Sequence, residues 1–206
     1  IITTAVEHPA VLEVCRALCG ENAPYFRDSP RLRLTVLGVD ADGLVDPNEL
    51  EAKIDERTLI VSVMHANNEV GTIEPIARLC EIAHRYGALF HCDAAQSIGK
   101  LAVDVDELGV DLLSIAGHKL YAPKGIGALY VKRGTPLTPQ LYGASQERGL
   151  RPGTENVMQI VGLGEACRQL DEIDEIDAET ERLAGLRDKL HRGLCQALGE
   201  SSLRLN

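Results

Sequence analysis

Short β-branched or apolar runs recur at Ile1 to Val6, Leu32 to Val39, Leu59 to Met64, Ala88 to Cys92, Leu112 to Ala116 and Gly127 to Lys132, and helix-period segments separate most of them. This alternation restricts the chain to the α/β class, with near-continuous apolar strands joined through helices into a largely parallel sheet covered on both faces. The run at Gly127 follows its predecessor after only a few residues and can run antiparallel. Helix signals agree with the strand pattern. Asp46-Pro47-Asn48-Glu49 supplies an N-cap, a proline at the first helical position and an acidic third residue. Pro75 opens a second amphipathic segment that Gly87 closes. The expected architecture is a three-layer α/β/α sandwich with a mainly parallel, mixed sheet.

From Glu155 onward the composition shifts to helix formers. Ile173, Ile176, Leu183, Leu186, Leu190 and Leu194 fall at helical spacing, and an acidic run extends from Asp171 to Glu181, read as a solvated face. Residues 1–154 therefore read as one α/β unit and 155–206 as one or two long helices. At 206 residues the chain is long enough for one domain and part of a second. Its 21 basic against 31 acidic residues leave a net charge of −10, which repels phosphate backbones and anionic lipid. Nucleic acid and membrane are not expected partners, and the longest apolar stretches, Leu59 to Met64 and Gly125 to Val131, are strand-sized. Six cysteines without a C-x-x-C pair read as thiols in a reducing compartment, so a cytoplasmic location is expected. The chain opens on IITTAVEH, a strand already under way, and stops as a new alternation begins, so it is expected to be a fragment of a longer protein.

In open α/β sheets ligands bind beyond the carboxyl ends of the strands. The polar residues of this chain gather at those ends: Glu7-His8 after the first run, His65-Ala66-Asn67-Asn68-Glu69 after the third, Asp93-Ala94-Ala95-Gln96 after the fourth and Gly117-His118-Lys119 after the fifth. Each has a bland alternative as a turn, a cap or a structural histidine. Their common placement is the signal. His91-x-Asp93 puts two potential metal ligands on one strand face, and a metal-dependent hydrolase around His91, Asp93 and His118 is a rival reading, although no third ligand at fitting spacing is evident. No G-x-S-x-G elbow, Walker loop or G-x-G-x-x-G turn is present. A lysine at a strand end is harder to dismiss. At neutral pH only about one ordinary lysine in 2,500 is free amine, so a nucleophilic lysine needs a lowered pKa or capture as an imine, which a carbonyl cofactor provides.

The strings HANNEVGTIEPI, HCDAAQSIGK and DLLSIAGHKLYAPKGIGALYV, with EH before them and ERG-x-R-x-GT after, resemble in content and order the class V aminotransferase family of fold-type I pyridoxal-phosphate enzymes, in its cysteine desulfurase and selenocysteine lyase branch. The resemblance runs from Thr4 to about Ala166, with the helical tail fitting the family's interdomain helix. It implies a pyridoxal 5'-phosphate-binding large-domain portion over residues 1–154, with 155–206 leading into a truncated small domain.

It also implies roles for individual residues. Lys119 would hold the cofactor as a Schiff base and, once freed, move the Cα proton. Asp93 would pair with the pyridine nitrogen and make the ring an electron sink. Gln96 would bond the phenolic oxygen, His8 would stack on the ring, and Asn68 would orient cofactor and substrate carboxylate. His118 and Thr154 match phosphate-binding positions, Thr154 reaching the site of the other subunit of a homodimer.

The implied reaction removes sulfur from L-cysteine, or selenium from selenocysteine, giving alanine and a persulfide for a sulfur-acceptor or iron-sulfur scaffold protein. The thiol that carries the persulfide and the arginine that binds the substrate carboxylate are expected outside this chain. None of Cys15, Cys19, Cys80, Cys92, Cys167 and Cys195 takes that thiol's role, and the chain alone is expected to be inactive. Three departures stand out: Ala116 where many members place a phosphate-binding serine, Gly143-Ala144-Ser145 in place of a glycine run, and a second lysine, Lys124, in a Pro-Lys-Gly turn. A non-catalytic, truncated scaffold of the same fold is the other alternative.

Overall fold

The computed structural model describes residues 1–20, 32–170, 173–203 and 205. Among the described residues, six strands form one sheet: β1 (Ile2–Thr4), β2 (Thr35–Leu37), β3 (Ile60–Met64), β4 (Leu89–Asp93), β5 (Leu112–Ala116) and β6 (Gly127–Val131). Their order is β2-β1-β3-β4-β5-β6, and β1 to β5 are parallel. As the short connection allowed, β6 runs antiparallel on β5, from Leu112 opposite Val131 to Ala116 opposite Gly127. The six strands coincide with the six apolar runs of the sequence, β1 and β2 being shorter than the runs that contain them.

The connecting helices are α1 (Pro9–Cys19), α2 (Pro47–Lys53), α3 (Ile76–Arg85) and α4 (Val105–Leu108). Asp46 caps α2 as its motif predicts, its carboxylate accepting from the Asn48 N–H at 2.9 Å with Pro47 next in line. The first connection steps from β1 outward to β2, and the later ones step the other way, toward β5. Right-handed crossovers then put α1 on one face and α2, α3 and α4 on the other, which makes three layers. In agreement, α2 packs on α3 and α3 on α4, while α1 contacts β1. Beyond the sheet, α5 (Val157–Leu170) and α6 (Ile173–Leu198) match the expected helical tail. The acidic run beginning at Asp171 lies partly outside the described residues. No helix among the described residues is long and apolar enough to cross a membrane.

The two sheet faces differ. On the α2–α4 face, Ile2, Val61, Val63, Phe90, Cys92 and Leu113 are all buried and form one cluster with the helices. The opposite face is the more polar of the two. It carries Thr3, Ser62, His91 and Ser114, which alternation sends away from the core. These side chains satisfy one another: the Thr3 hydroxyl donates to the Ser62 carbonyl at 3.0 Å, and the His91 ring bonds the Ser62 hydroxyl through Nδ1 at 2.8 Å and the Ser114 hydroxyl through Nε2 at 2.9 Å. Burial holds the His91 imidazole below its ordinary pKa, so it is neutral, with one nitrogen donating and the other accepting. This bridge spans β3, β4 and β5 within the register that pairs Ser62 with His91. Ser62→Ala leaves one imidazole nitrogen without its partner and is expected to cost about 1–3 kcal/mol in urea unfolding.

Candidate active site

The strand order reverses between β1 and β3, and the carboxyl ends on either side of that switch point are where a ligand crevice is expected. A cavity of about 200 Å3 opens there, lined by Glu7, His8 and Pro9 from the β1–α1 turn and by Asn67, Asn68 and Glu69 from the loop after β3. His8 is the N-cap of α1, and its Nδ1 accepts from the Ala10 N–H at 3.1 Å. The neutral ring therefore carries its proton on Nε2, and the imidazole stands exposed at the site.

The two asparagines divide their work. Asn67 is buried and used at both ends: its amide donates to the Val6 carbonyl at 2.9 Å, and its carbonyl accepts from the N–H groups of Glu69 and Val70 at 2.8 and 2.9 Å. It builds the turn. Asn68 is exposed and, among the described residues, its side chain has no hydrogen-bond partner, which leaves it available to a ligand.

Asp93 closes β4, its Oδ1 accepting from the Ala95 N–H at 2.9 Å, while Gln96 follows half-buried in the next turn. Lys119 and His118 lie in a 3-10 turn, Gly117–Leu120, entered directly from β5. That turn needs its glycine. A Cβ on Gly117 would stand 2.7 Å from the Ile126 carbonyl oxygen, to which the Gly117 N–H also bonds at 3.0 Å. His118 is exposed and Lys119 half-buried, with no hydrogen-bond partner for Nζ among the described residues. Lys100 comes near enough for its charge to be felt: partial burial first, and the Lys119 charge second, hold the Lys100 ammonium below the ordinary lysine range. Thr154 is exposed on the loop before α5 and, among the described residues, bonds none of the other candidates. His8, Asn68, Asp93, Gln96, His118 and Lys119 thus follow the carboxyl ends of β1, β3, β4 and β5, whereas Thr154 stands apart.

The metal reading fails on this geometry. Both nitrogens of His91 are engaged by serines, and among the described residues no group of three His, Cys, Asp or Glu side chains could hold an ion. All six cysteines are free. Burial raises the thiols of Cys15, Cys19, Cys80 and Cys92, Cys80 to about 12, so these four are poor thiolates. The sequence reading passed over Glu7 as a side chain in its own right. Its Met64 partner lies 57 residues away, so no local spacing marks it.

A doubly wound α/β domain with a lysine and an aspartate at the ends of adjacent parallel strands is the class of protein that this geometry defines. The model of the family described as Aminotransferase class-V matches residues 1–203, and the chain belongs to that family. It is 50% identical over 188 residues to a cysteine desulfurase IscS of Dictyoglomus turgidum, covering 91% of this chain and 45% of that protein. It is 46% identical over 201 residues to a cysteine desulfurase of Gluconacetobacter diazotrophicus, covering 98% and 48%. Among solved structures, a NifS-like protein superposes with a TM-score of 0.86 at 39% identity over 95% of this chain and 51% of its own. DndA from Streptomyces lividans superposes with a TM-score of 0.78 at 36% identity over 94% and 52%. The chain spans about half the length of the curated relatives it matches.

Proposed function

We propose that this chain is the cofactor-binding portion of a cytoplasmic, homodimeric cysteine desulfurase that uses pyridoxal 5'-phosphate to convert L-cysteine to alanine and passes the sulfur to an acceptor or iron-sulfur scaffold protein. The observation that carries the reading is the placement of Asp93 at the end of β4 and of Lys119 just beyond the end of β5, two strands that pair in parallel from His91–Leu112 to Asp93–Ser114. The names of the relatives support the substrate. Selenocysteine, which presents the same amino-acid backbone, is the second substrate to test.

The donor set suits the cofactor. Asp93 has one carboxylate oxygen engaged at the strand end and the other without a partner among the described residues, as a ring N–H requires. Lys119 presents an unpartnered amine, and Gln96, Asn68 and His118 add polar groups on the same edge. When bound, the cofactor supplies an aldehyde for covalent capture of an amine and a cationic ring that draws electrons from the substrate Cα. The protein does the rest. Lys119 would hold the cofactor and then carry the proton at Cα; Asp93 would keep the ring nitrogen protonated; His8 would cover the ring face; Asn68 would orient the substrate carboxylate. Gln96 would bond the phenolic oxygen, and His118 with the partner's equivalent of Thr154 would hold the phosphate. Ala116 offers no hydroxyl, so the phosphate would lean more on His118, on Thr154 and on an upstream turn outside these residues.

Borohydride reduction of the protein with pyridoxal phosphate, followed by peptide mass spectrometry, tests the reading. The expected result is a reduced adduct on the peptide containing Lys119. An adduct spread over Lys100, Lys124 and surface lysines, with none preferred, would overturn it.

A further inference from the structure

Glu7 takes part in none of these roles, yet the residue is only 6% exposed where it lines the cavity at the switch point. Its Oε1 accepts from the Thr4 hydroxyl at 2.9 Å and from the Met64 N–H at 2.8 Å, while Oε2 is buried without a partner among the described residues. Met64 is the residue paired in register with Asp93, and the next residue, His65, donates its N–H to the Asp93 carbonyl at 2.9 Å. One side chain thus reaches from the turn that presents His8 to the strand pair that ends in Asp93. The Asn67–Val6 bond is a second tie along the same line.

Among the described residues, the acidic and thiol groups that act on Glu7 are Asp93 at the end of β4, Glu74 ahead of α3, Cys92 within β4 and Cys15 on α1, and the titratable His8 lines the same cavity. Burial is the main influence and raises the Glu7 carboxyl to about 7; Asp93 and Glu74 push the same way, against the hydrogen bonds from Met64 and Thr4. Glu7 therefore changes charge near neutrality.

We propose that Glu7 is a positioning residue of the cofactor site, holding the His8 turn against the ends of β3 and β4 and setting the electrostatic field at Asp93 through its own charge. The inference rests on the pyridoxal-phosphate reading above. Ionised, Glu7 places a second anion near whatever cation pairs with Asp93 and strengthens that cation's hold on its proton; neutral, it leaves Asp93 to act alone.

The test uses the full-length protein with pyridoxal phosphate, as wild type, Glu7→Gln and Glu7→Leu. Glutamine keeps an oxygen that can accept from Met64 and Thr4 but never ionises, whereas leucine removes both tie and charge. The pH titration of the bound cofactor's visible spectrum is expected to move its midpoint down by about half a unit or more in Glu7→Gln. Cofactor binding is expected to be about tenfold weaker in Glu7→Leu, with Glu7→Gln near wild type. Without cofactor, the stability that Glu7 contributes is lost as pH rises from about 4.5 to 7, because a carboxyl with a raised native pKa stabilises only while it keeps its proton, so over this range the thermal midpoint of wild type falls relative to that of Glu7→Gln. A Glu7→Gln spectral titration that overlays wild type, on a wild type that binds cofactor, overturns the role of Glu7 alone. A wild type that takes up no cofactor overturns the functional reading beneath it.

Discussion

Lys119→Ala is expected to abolish covalent retention of pyridoxal phosphate and to lower alanine release from cysteine by at least about a thousandfold in the full-length enzyme, leaving stability within about 1 kcal/mol of wild type. The size of the effect follows from the absence of a substitute. Lys124 sits exposed five residues on, in a turn whose carbonyl is held by Gln159 at 3.0 Å, and Lys100 reaches the site only as a neighbouring charge. The turn itself is unaffected by the change. Its shape is set by Gly117, by the Gly117–Ile126 bond and by the Ala122 N–H closing on the Gly117 carbonyl at 3.1 Å, none of which involves the lysine side chain. Lys124→Ala, as the comparison, should retain both the absorption and the turnover of wild type. A Lys119→Ala protein that still held the cofactor through borohydride treatment and turned over cysteine would sink the assignment.

Phe90→Ala is expected to cost about 3–5 kcal/mol, read as a lower midpoint of chemical unfolding at an unchanged slope. Phe90 is fully buried and heads the largest fully buried side chains of the core, so its removal leaves a void that a sheet pinned on both flanks cannot close. In thermal unfolding this corresponds to a fall of roughly 6–20 °C for a domain of this size. The damage also reaches the site. Asp93 closes the same strand three residues later, and β4 keeps its place through Phe90 on one face and His91 on the other. Cofactor binding should therefore weaken in Phe90→Ala even at temperatures where the protein stays folded.

The strand ends were legible because their signals are local. Asp46-Pro47 announces α2, the brief gap before Gly127 announces an antiparallel strand, and each polar cluster follows its apolar run directly in the chain. Choosing Asn68 over Asn67 came from the family resemblance, and the structure adds the physical reason: Asn67 is consumed by its own turn and by Val6. What depends on register was not legible. Ser62 between two valines, and His91 between Phe90 and Cys92, read as interruptions or as half of a metal site until β3, β4 and β5 are laid side by side and the three polar residues meet. The same holds for Glu7, whose partner Met64 lies 57 residues away. The short α4 was passed over because four residues cannot express a helical period, although Asp104 caps it through the N–H groups of Asp106 and Glu107.

The position of β1 inside the sheet has a kinetic consequence. Although it comes first in the chain, it is flanked by β2 and by β3, and its contact with β3 joins Ile2 to Val61. During synthesis on the ribosome this segment would emerge well before either neighbour; it could pair with β2 first and be flanked on both sides only after β3 had followed. Long-range parallel pairing of this kind raises contact order and slows folding. Closure of the crevice at the switch point is thereby deferred to a late event in the maturation of the nascent polypeptide, when the turn bearing His8 has at last met the loop that follows β3.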